Sequence, residues 1–458
     1  KDDEFTTDPQ YRLDYSTDTV SFDTIMGGML SPFKTLKVYN HSGERINISS
    51  ISYASTHRYF MININGKNLH EVSNMEIANG DSMYIFVQTN GECSGSELPF
   101  SLLDSISISY NGNVDYVYLS AYSETPVILD HFVVKSDTTL SSTQPYLVKD
   151  TLKVEEGVTL TIDAGVRLYF HNNASLYVDG ILNCNGEVDN PVEMRYFRSD
   201  RLPNKFFDNN PQFYLAPGNW KGVYISKKSG DCRLLSTNII GAYRCLTLDS
   251  ALTDRKVIIG NSLIFNSKQG VLYTEASKVY AYNSVFANGG FYNVHLKGGN
   301  YLFNHCTIAS YLSQGASGKN PALYLDNVDS LYVEINNSIV CGSNYKIAKG
   351  DTICTEMDNN GRNLKDSLNG SSFRLRIMSS IIGHESLEGD DFIDVIWGKK
   401  LNYKSLNSYL YDFSVDSLSP ARTFGNDAIL KMYPECATDI MGKSRVDDEF
   451  PDVGAYEY

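Results

Sequence analysis

A short segment that recurs along the second half of the chain constrains the fold more than any other feature. Five of the six copies place two small polar residues before two apolar ones, and the copies return after 22 to 24 residues, then after 32 and 42. The copies are Thr237–Ala242, Asn261–Asn266, Asn283–Asn288, His305–Ser310, Asn337–Gly342 and Ser379–His384. A fixed period of this kind indicates stacked structural repeats. Because the period is too short for two helices and a turn, and the copies are rich in Val, Ile and Phe, we predict a coil of short β-strands.

Four earlier segments predict how many strands each coil contains. Gly157–Ile162, Gly165–Phe170, Ala174–Val178 and Gly180–Asn183 each carry an apolar alternation behind a small residue, and they start 8, 9 and 6 residues apart. One circuit from Gly157 to Gly180 therefore takes 23 residues, which matches the period of the recurring segment. We expect three strands per coil, with alternate residues pointing inward and neighbouring coils about 4.8 Å apart.

Both ends of this region resemble known β-helix proteins. Pro145–Val148, Leu152–Val166, Leu176–Leu182 and Asn219–Ile225 are similar to the opening coils of right-handed parallel β-helices of the pectin-lyase-like superfamily. Leu418–Arg422, Asp439–Arg445 and Asp452–Tyr458 resemble the closing segment of bacterial surface β-helix proteins. The resemblance implies a fold and a surface location. It implies no activity, because the superfamily includes lyases, hydrolases, esterases, tailspikes and non-catalytic adhesins.

The first 128 residues predict a separate β-sandwich. Six alternating runs are separated by turn signals such as Asn65-Gly66 and Asn111-Gly112. The runs are Thr35–Tyr39, Arg45–Tyr53, Tyr59–Ile64, Ser82–Gln88, Ser105–Tyr110 and Asp115–Ala121. Their spacing suggests an immunoglobulin-like module, although the Cys–Trp–Cys core of antibody domains is absent. Leu36–Asn40, Ile46–Tyr53 and Gly80–Val87 resemble the Ig-like modules found ahead of bacterial surface domains, and we expect this module to be a spacer. We predict an all-β chain with an Ig-like sandwich over residues 1–128, a right-handed parallel β-helix over 129–400 and its closing segment over 401–458.

The net charge limits the partners. A formal charge of −15 over 458 residues argues against sequence-independent binding of nucleic acid, which requires a basic surface, and against attraction to anionic membranes. No apolar run reaches the roughly 18 residues of a transmembrane segment. The charged start of the chain carries no signal peptide and suits a tether to a lipid anchor. We expect a monomer that is secreted or lipid-anchored at the cell surface.

The cysteines and histidines give no sign of a metal site. The eight cysteines are scattered without a CxxC pair, and several lie in apolar segments, where cysteine behaves as a small buried hydrophobe. We expect mostly free thiols, with one or two disulfides as the alternative. No two histidines have a metal-ligand spacing. No cofactor is indicated, and calcium would matter only if an acidic surface had to bind a polyuronic acid.

The strand before each recurring segment carries the side chains of greatest functional interest. Aligning Cys245–Asp249, Val271–Glu275, Asn293–Lys297 and Ala322–Asp326 points their second and fourth residues inward. The two outward columns are then Thr247, Tyr273, His295 and Tyr324, and Asp249, Glu275, Lys297 and Asp326. Aromatic rings beside carboxylates suit a polysaccharide, because rings stack on sugar faces and acids bind hydroxyl groups. The predicted insertion Ser199–Pro217 adds three further glycan-binding candidates, Phe206, Phe207 and Tyr214.

Catalysis at the same surface is an alternative. At about 4.8 Å per coil, the backbones of Glu275 and Asp326 are expected about 9–10 Å apart, and an inverting glycosidase holds its carboxyl groups about 6.5–9.5 Å apart. Lys297 between these two acids favours their charged forms, which suits a ladder of ion pairs better than a general acid. The chain also lacks the Gly-His-Gly element of polygalacturonases and the Arg-x-Pro-x-x-Arg element of pectate lyases.

The recurring polar residues themselves are expected to be structural. Asn238, Asn261, Asn283 and Asn337 predict a stacked amide ladder at a bend. The leading functional hypothesis is therefore a non-catalytic surface module that binds polysaccharide or host glycan through the outward columns. A polysaccharide lyase or glycoside hydrolase with an unrecognised site is the first alternative, and a purely architectural surface protein is the second.

Overall fold

The computed structural model describes residues 5–69, 72–93, 97–141, 143–202, 210–312, 321–348, 351–359, 364–368, 372–399, 401–407 and 409–458. The chain forms two compact units, residues 1–126 with 198–200, and residues 127–197 with 201–458. Nearly all regular structure is β-strand, antiparallel in most of the first unit and parallel in most of the second. The predicted all-β fold class, a sandwich followed by a parallel β-helix, is confirmed.

The first unit is a sandwich of two five-stranded sheets, with strand orders β1-β3-β8-β5-β6 and β2-β10-β9-β4-β7. The strands are β1 (Asp14–Tyr15), β2 (Thr19–Met26), β3 (Lys34–Tyr39), β4 (Ile46–Tyr53), β5 (Met61–Ile64), β6 (Lys67–Asn68), β7 (Ser73–Ile77), β8 (Ser82–Gln88), β9 (Phe100–Tyr110) and β10 (Asn113–Glu124). All pairs are antiparallel except β2 with β10. Alternate residues such as Leu36, Ile85, Ile106 and Leu119 fill the core between the sheets.

The second unit is built from many short parallel strands and two short helices. The strands are β11 (Val127–Leu129), β12 (Phe132–Val134), β13 (Thr138–Leu140), β14 (Tyr146–Val148), β15 (Thr151–Val154), β16 (Thr159–Asp163), β17 (Arg167–Phe170), β18 (Ser175–Val178), β19 (Ile181–Asn185), β20 (Val192–Tyr196), β21 (Gly222–Ile225), β22 (Cys232–Leu235), β23 (Thr237–Ile240), β24 (Arg244–Leu248), β25 (Lys256–Gly260), β26 (Leu263–Ser267), β27 (Gly270–Tyr282), β28 (Val285–Gly289), β29 (Tyr292–Asn304), β30 (Thr307–Ser310), β31 (Leu323–Asn336), β32 (Ile339–Gly342), β33 (Tyr345–Ala348), β34 (Asp351–Cys354), β35 (Met357–Asp358), β36 (Phe373–Met378), β37 (Ile381–Ile382), β38 (Phe392–Ile393), β39 (Ile396–Trp397), β40 (Tyr403–Asn407) and β41 (Leu410–Val415). The helices are α1 (Leu364–Leu368) and α2 (Asp427–Met432).

Each coil contributes to three rows of strands. The first row is an 11-stranded sheet, β11-β14-β17-β20-β23-β26-β28-β30-β32-β37-β39. The second row is β12, β15, β18, β21 and β24, and the third is β13, β16, β19, β22 and β25. These two rows join into one 16-stranded sheet because β27, β29 and β31 run through both. In β27 the corner between the rows is a bend at Ala276, whose φ is 41°.

The recurring polar pair forms the bend between the third row and the first. Its first residue adopts the left-handed conformation, with φ of 50° at Asn261, 46° at Asn283 and 45° at Asn337, which asparagine tolerates better than most residues. The Asn283 side chain donates to Asn261 Oδ1 at 3.0 Å. Ser284, the second residue, donates to the Tyr282 carbonyl at 2.7 Å and accepts from the amide one coil earlier at 3.1 Å. The polar pair therefore satisfies the backbone at each bend.

The predicted amide ladder is wrong at its first member. Asn238 pairs with Leu263 inside a strand and so does not lie at the bend. Ser236, with φ of 42°, takes the left-handed position, and Thr237 takes the place of the serine, since its hydroxyl donates to the Leu235 carbonyl at 3.0 Å. The sequence alignment is displaced by one residue at this coil, because Thr237-Asn238 has the same residue types as the polar pair of the other coils.

The closing segment covers the outer face of the first row. Its buried residues Ala421, Val453 and Ala455 pack in one cluster with outward residues of that row, which include Val285 and Ile339. From β28 to β37 the first row is therefore buried on both faces, as parallel sheets usually are.

Two backbone contacts fix the end of the closing segment to this sheet. The Gly454 amide donates to the Asn337 carbonyl at 2.8 Å, and the Ala455 amide donates to Thr307 Oγ1 at 3.0 Å. Inside the segment the fully buried Arg445 pairs with Glu457 at 2.9 Å and donates to the Gly454 carbonyl. The segment is thus tied both to the β-helix and to itself.

The cysteines follow the prediction of mostly buried thiols. All eight are free, and all but Cys93 are buried. Among the described residues, no helix is both long and apolar enough to cross a membrane.

Candidate functional site

Ring side chains follow one another from coil to coil on the outer face of the second row. Backbone pairing places Thr247 beside Tyr273, Tyr273 beside His295, and His295 beside Tyr324. Their inward neighbours Leu246, Leu272, Val294 and Leu323 are buried in the core. The four residues that the sequence alignment placed in one outward column are therefore neighbours on adjacent strands in the structure.

The column extends two coils further than the sequence alignment reached. Tyr224 pairs with Thr247, and Tyr177 pairs with Tyr224, with their rings stacked 5.0 Å apart. Both tyrosines lie between buried apolar residues, the same pattern as Tyr273, so an extended alignment could have found them. We call Tyr177, Tyr224, Tyr273, His295 and Tyr324 the aromatic column. With Thr247 between Tyr224 and Tyr273, the column spans six coils. The five intervals of about 4.8 Å between these coils give it a length of about 24 Å.

His295 is enclosed by three tyrosine rings. Its ring centroid lies 5.0 Å from Tyr273, 5.0 Å from Tyr292 and 4.5 Å from Tyr324, all in edge-to-face geometry. Burial lowers the pKa of His295 to about 4, and the charges of Arg244 and Lys297 act in the same direction. Both ring nitrogens are buried without a hydrogen-bond partner among the described residues. The neutral imidazole therefore keeps one unsatisfied donor and one unsatisfied acceptor, an arrangement that costs about 1–3 kcal/mol per group unless water or a ligand compensates.

Two residues of this cluster were missed by sequence reasoning. Tyr292 opens strand β29 and contacts His295, and Arg244 opens β24 with its guanidinium 5.0 Å from the Tyr273 ring centroid. Arg244 Nε also donates to Gln269 Oε1 at 3.0 Å. Both lie before the aligned outward positions, at strand starts where the coils share no repeated residue, so no periodic signal pointed to them.

The predicted charged column contains an ion pair rather than a facing pair of acids. Lys297 pairs with both Glu275 and Asp326 along the backbone, and its Nζ lies 2.6 Å from Glu275 Oε1. This hydrogen bond and the negative charge of Glu275 raise the pKa of Lys297. Asp326 is buried, and its Oδ1 has no hydrogen-bond partner among the described residues.

Asp249 is engaged with the preceding coil. Its Oδ2 accepts a hydrogen bond from the Tyr224 hydroxyl at 3.0 Å. Burial, together with this bond, raises the pKa of Tyr224 to about 12. Asp249 thus holds the Tyr224 ring of the aromatic column in place and adds a carboxylate beside the column.

The insertion contributes nothing to the aromatic column among the described residues. Tyr214 lies in a short 3₁₀ turn, Phe213–Leu215, and its ring stacks over Arg195 at 4.1 Å, opposite Tyr169 at 4.0 Å. Tyr169 belongs to the first row, so Tyr214 is placed away from the column. Phe206 and Phe207 lie outside the described residues.

No metal site is formed by the part of the chain that the structure describes, where no group of three or more His, Cys, Asp or Glu side chains could hold an ion. The chemistry available at the aromatic column is therefore ring stacking, hydrogen bonding and the Glu275–Lys297 ion pair.

Comparison with known proteins yields little. No family model matches the chain, and no curated protein matches it. Among solved structures, a protein of unknown function from Porphyromonas gingivalis W83 is similar at 13% identity over 24% of this chain and 45% of its own, with a TM-score of 0.18. The VesB protease of Vibrio cholerae is similar at 13% identity over 26% of this chain and 33% of its own, with a TM-score of 0.19. The chain thus spans less than half the length of either of these proteins.

Proposed function

We propose that this protein binds a polysaccharide or host glycan, without cleaving it, through the aromatic column. The observation that carries the proposal is the line of five ring-bearing coils, which Thr247 interrupts once. Neighbouring coils are about 4.8 Å apart, which is close to the length of one sugar unit. A glycan lying along the axis of the β-helix would meet a ring or a hydroxyl at each step.

Polar groups beside the rings supply the hydrogen bonds that such a ligand needs. The Glu275–Lys297 pair is partly exposed and offers both acceptors and donors to sugar hydroxyls. Asp326 Oδ1 and the His295 ring nitrogens are buried without a partner among the described residues, so an ordered water, and not a glycan at the surface, would satisfy them.

The arrangement of the acids favours binding over cleavage. A glycosidase needs one carboxyl group to hold a proton while the other is charged. Glu275 instead accepts a hydrogen bond from Lys297 at 2.6 Å, and Asp326 is withdrawn from the surface. Neither residue is placed as an exposed proton donor.

The proposal extends to the class and location of the protein. The opening and closing segments resemble those of the pectin-lyase-like superfamily, and three strands per coil fit that architecture. We place the protein at the cell surface, lipid-anchored or secreted, as a monomer.

Affinity electrophoresis tests the proposal. Wild-type protein is expected to be retarded in gels that contain at least one of polygalacturonate, xylan, dextran or mucin. Tyr273→Ser/Tyr324→Ser removes two rings, each contributing about 0.5–1.5 kcal/mol, and should weaken retardation about tenfold. Tyr332→Ser is the matched control, because Tyr332 is an exposed tyrosine in the third-row half of β31, outside the column.

Three results would overturn the proposal. Wild-type protein that none of the four polymers retards would leave an architectural role. Equal retardation of the double variant and the wild type would place binding elsewhere. New reducing ends released from any of these polymers, and lost with Glu275→Gln or Asp326→Asn, would make the column an active site.

A further inference from the structure

A second surface rich in rings lies on the sandwich. Strand β10 points Tyr116, Tyr118 and Tyr122 outward, and these side chains are 53%, 59% and 58% exposed. Their inward neighbours Val117 and Leu119 are buried in the core. At about 3.4 Å per residue, the three rings are spaced about 7 and 14 Å apart along one straight strand.

The strand beside these tyrosines presents hydroxyl groups. Pairing places Tyr116 beside Ser107, Tyr118 beside Ser105 and Tyr122 beside Ser101. On the far side of β9, the Ser52 and Ser107 hydroxyls are 2.9 Å apart across β4 and β9. Each of these hydroxyl oxygens can accept a further hydrogen bond, since a hydroxyl has two lone pairs and one hydrogen.

The same face carries no exposed charge over its three inner strands, all of which are described, since Glu124 at the end of β10 is buried. The outward residues of β4 are Asn47, Ser49, Ser50 and Ser52, and those of β9 and β10 are serines, tyrosines, Leu103 and Val114. Charged side chains occur on the edge strands, for example Asp23 on β2 and Glu76 on β7. In a chain with 20% charged residues, this face is suited to an uncharged ligand.

A concave site continues the face at the end of the β9–β10 hairpin. An open pocket of about 560 Å³ is lined by Phe5, Asn47, Ser49 and Asn111, among others. Asn47 Oδ1 is buried there without a hydrogen-bond partner among the described residues. The face that carries the exposed tyrosines of β10 therefore also carries an open pocket with polar residues in its lining, which is large enough for a sugar unit.

We propose that this face of the sandwich binds a neutral polysaccharide whose chain runs along β10. Exposed rings on one strand can stack on the apolar faces of sugars in an extended chain, and the adjoining serines and Asn47 can bind their hydroxyl groups. The absence of charge on the inner strands disfavours uronic acids and sulfated glycans, which require cationic side chains. The N-terminal unit is then a binding module rather than a spacer, independently of what the aromatic column binds.

Binding of the full chain to insoluble cellulose, chitin and starch granules tests this inference. The variant Tyr116→Ser/Tyr118→Ser/Tyr122→Ser should be retained at least about tenfold less than the wild type on whichever solid retains the wild type. Tyr84→Ser is the matched control, because Tyr84 is 40% exposed on the other sheet of the same sandwich. Loss of retention in the triple variant, together with wild-type retention of Tyr84→Ser, would assign the binding to this face of the sandwich.

Each contrary outcome identifies a different error. Wild-type protein that is retained on none of the three solids overturns the inference, and so does equal retention of the triple variant. A dimer seen by light scattering that the triple variant abolishes, without retention of the wild type, would assign the face to self-association.

If circular dichroism shows that the triple variant is unfolded, Tyr118→Ser and Tyr118→Trp replace it. Retention should then fall with serine and persist with tryptophan, and the same retention with both would reject the inference.

Discussion

At the scale of a single residue, His295 combines a structural cost with a candidate function. Three tyrosine rings remove water from its imidazole, and neither ring nitrogen has a partner among the described residues. A histidine buried in this way is held neutral, because protonation would place a charge in an apolar enclosure. The side chain therefore makes the aromatic column sensitive to acid near its Tyr324 end.

This burial predicts a loss of stability in acid. The pKa of His295 is about 4 in the folded protein and about 6.5 in an unfolded chain, so between these values only the unfolded state binds the proton. The stabilisation is complete above pH 6.5 and is lost as the pH falls to 4. His295→Gln should reduce the fall in the free energy of unfolding between pH 7 and 4 by about 2–3 kcal/mol, as measured by urea titration at each pH.

The exposed His57 provides the control for this measurement. His57→Gln is the matched substitution, because His57 is exposed on the sandwich and lies outside the aromatic column. Part of the acid loss should survive in His295→Gln, since burial also lowers the pKa of His305. A fall of the same size in His295→Gln and in the wild type would show that His295 is not held neutral.

At the scale of the element, the bend at Asn283 has two separable roles, one in the turn of its own coil and one in binding the closing segment. Asn283 takes the left-handed conformation with φ of 46°. Its amide also donates to the carbonyls of Glu435 and Thr438, at 3.3 and 2.7 Å. One side chain thus supports the turn of its own coil and holds the closing segment in place.

Two substitutions separate these effects. Asn283→Ala should lower the free energy of unfolding by about 2–4 kcal/mol, because alanine tolerates the left-handed conformation less well than asparagine and because the hydrogen bonds to the Glu435 and Thr438 carbonyls are lost. Asn283→Gly should cost about 1–2 kcal/mol less, since glycine accepts the conformation. Urea-induced unfolding followed by circular dichroism measures both. Equal losses in the two variants would rule out strain as a contributor.

The coil architecture and the outward columns could be predicted from the sequence because the repeat period and the alternation within strands are local signals. Other features depend on how coils stack. The fusion of two rows by β27 follows from a corner compressed to one residue at Ala276, which has no sequence signature. Tyr292 and Arg244 reach the site from strand starts outside the repeat. At Asn238 the local pattern misled the alignment, since hydrogen bonding across coils and not the Thr-Asn pair decides the register.

At the scale of the whole molecule, the closing segment makes the middle coils depend on residues more than 100 positions later. Gly454 has φ of +96°, and a β-carbon there would lie 2.6 Å from Ile339 Cδ1 and 2.9 Å from Thr307 Oγ1. A larger residue would therefore force the Ile339 and Thr307 side chains to shift between the segment and the sheet that it covers. Stability therefore does not simply add up coil by coil, as it does in a solenoid whose repeats contact only their neighbours.

Substitution at this glycine should show the dependence. Gly454→Ala is expected to lower the free energy of unfolding by about 2–4 kcal/mol through steric overlap and a left-handed β-carbon. Gly442→Ala is the control, because its φ is +81° but the nearest atom to a β-carbon is 3.5 Å away, so it should cost about 1–2 kcal/mol. Thermal and urea unfolding measure both, and equal losses would show that the close approach of Gly454 to the sheet is unimportant.

The contacts of Gly454 and Ala455 with Asn337 and Thr307 also bear on how the chain matures during synthesis. Coils near residue 300 can wind as soon as they leave the ribosome, yet the outer face of their first row stays uncovered until residue 455 has been made. A nascent chain therefore carries an apolar parallel sheet for the time needed to add some 150 further residues. Over that interval the sheet needs protection by a chaperone, or delayed winding, to avoid association with other chains.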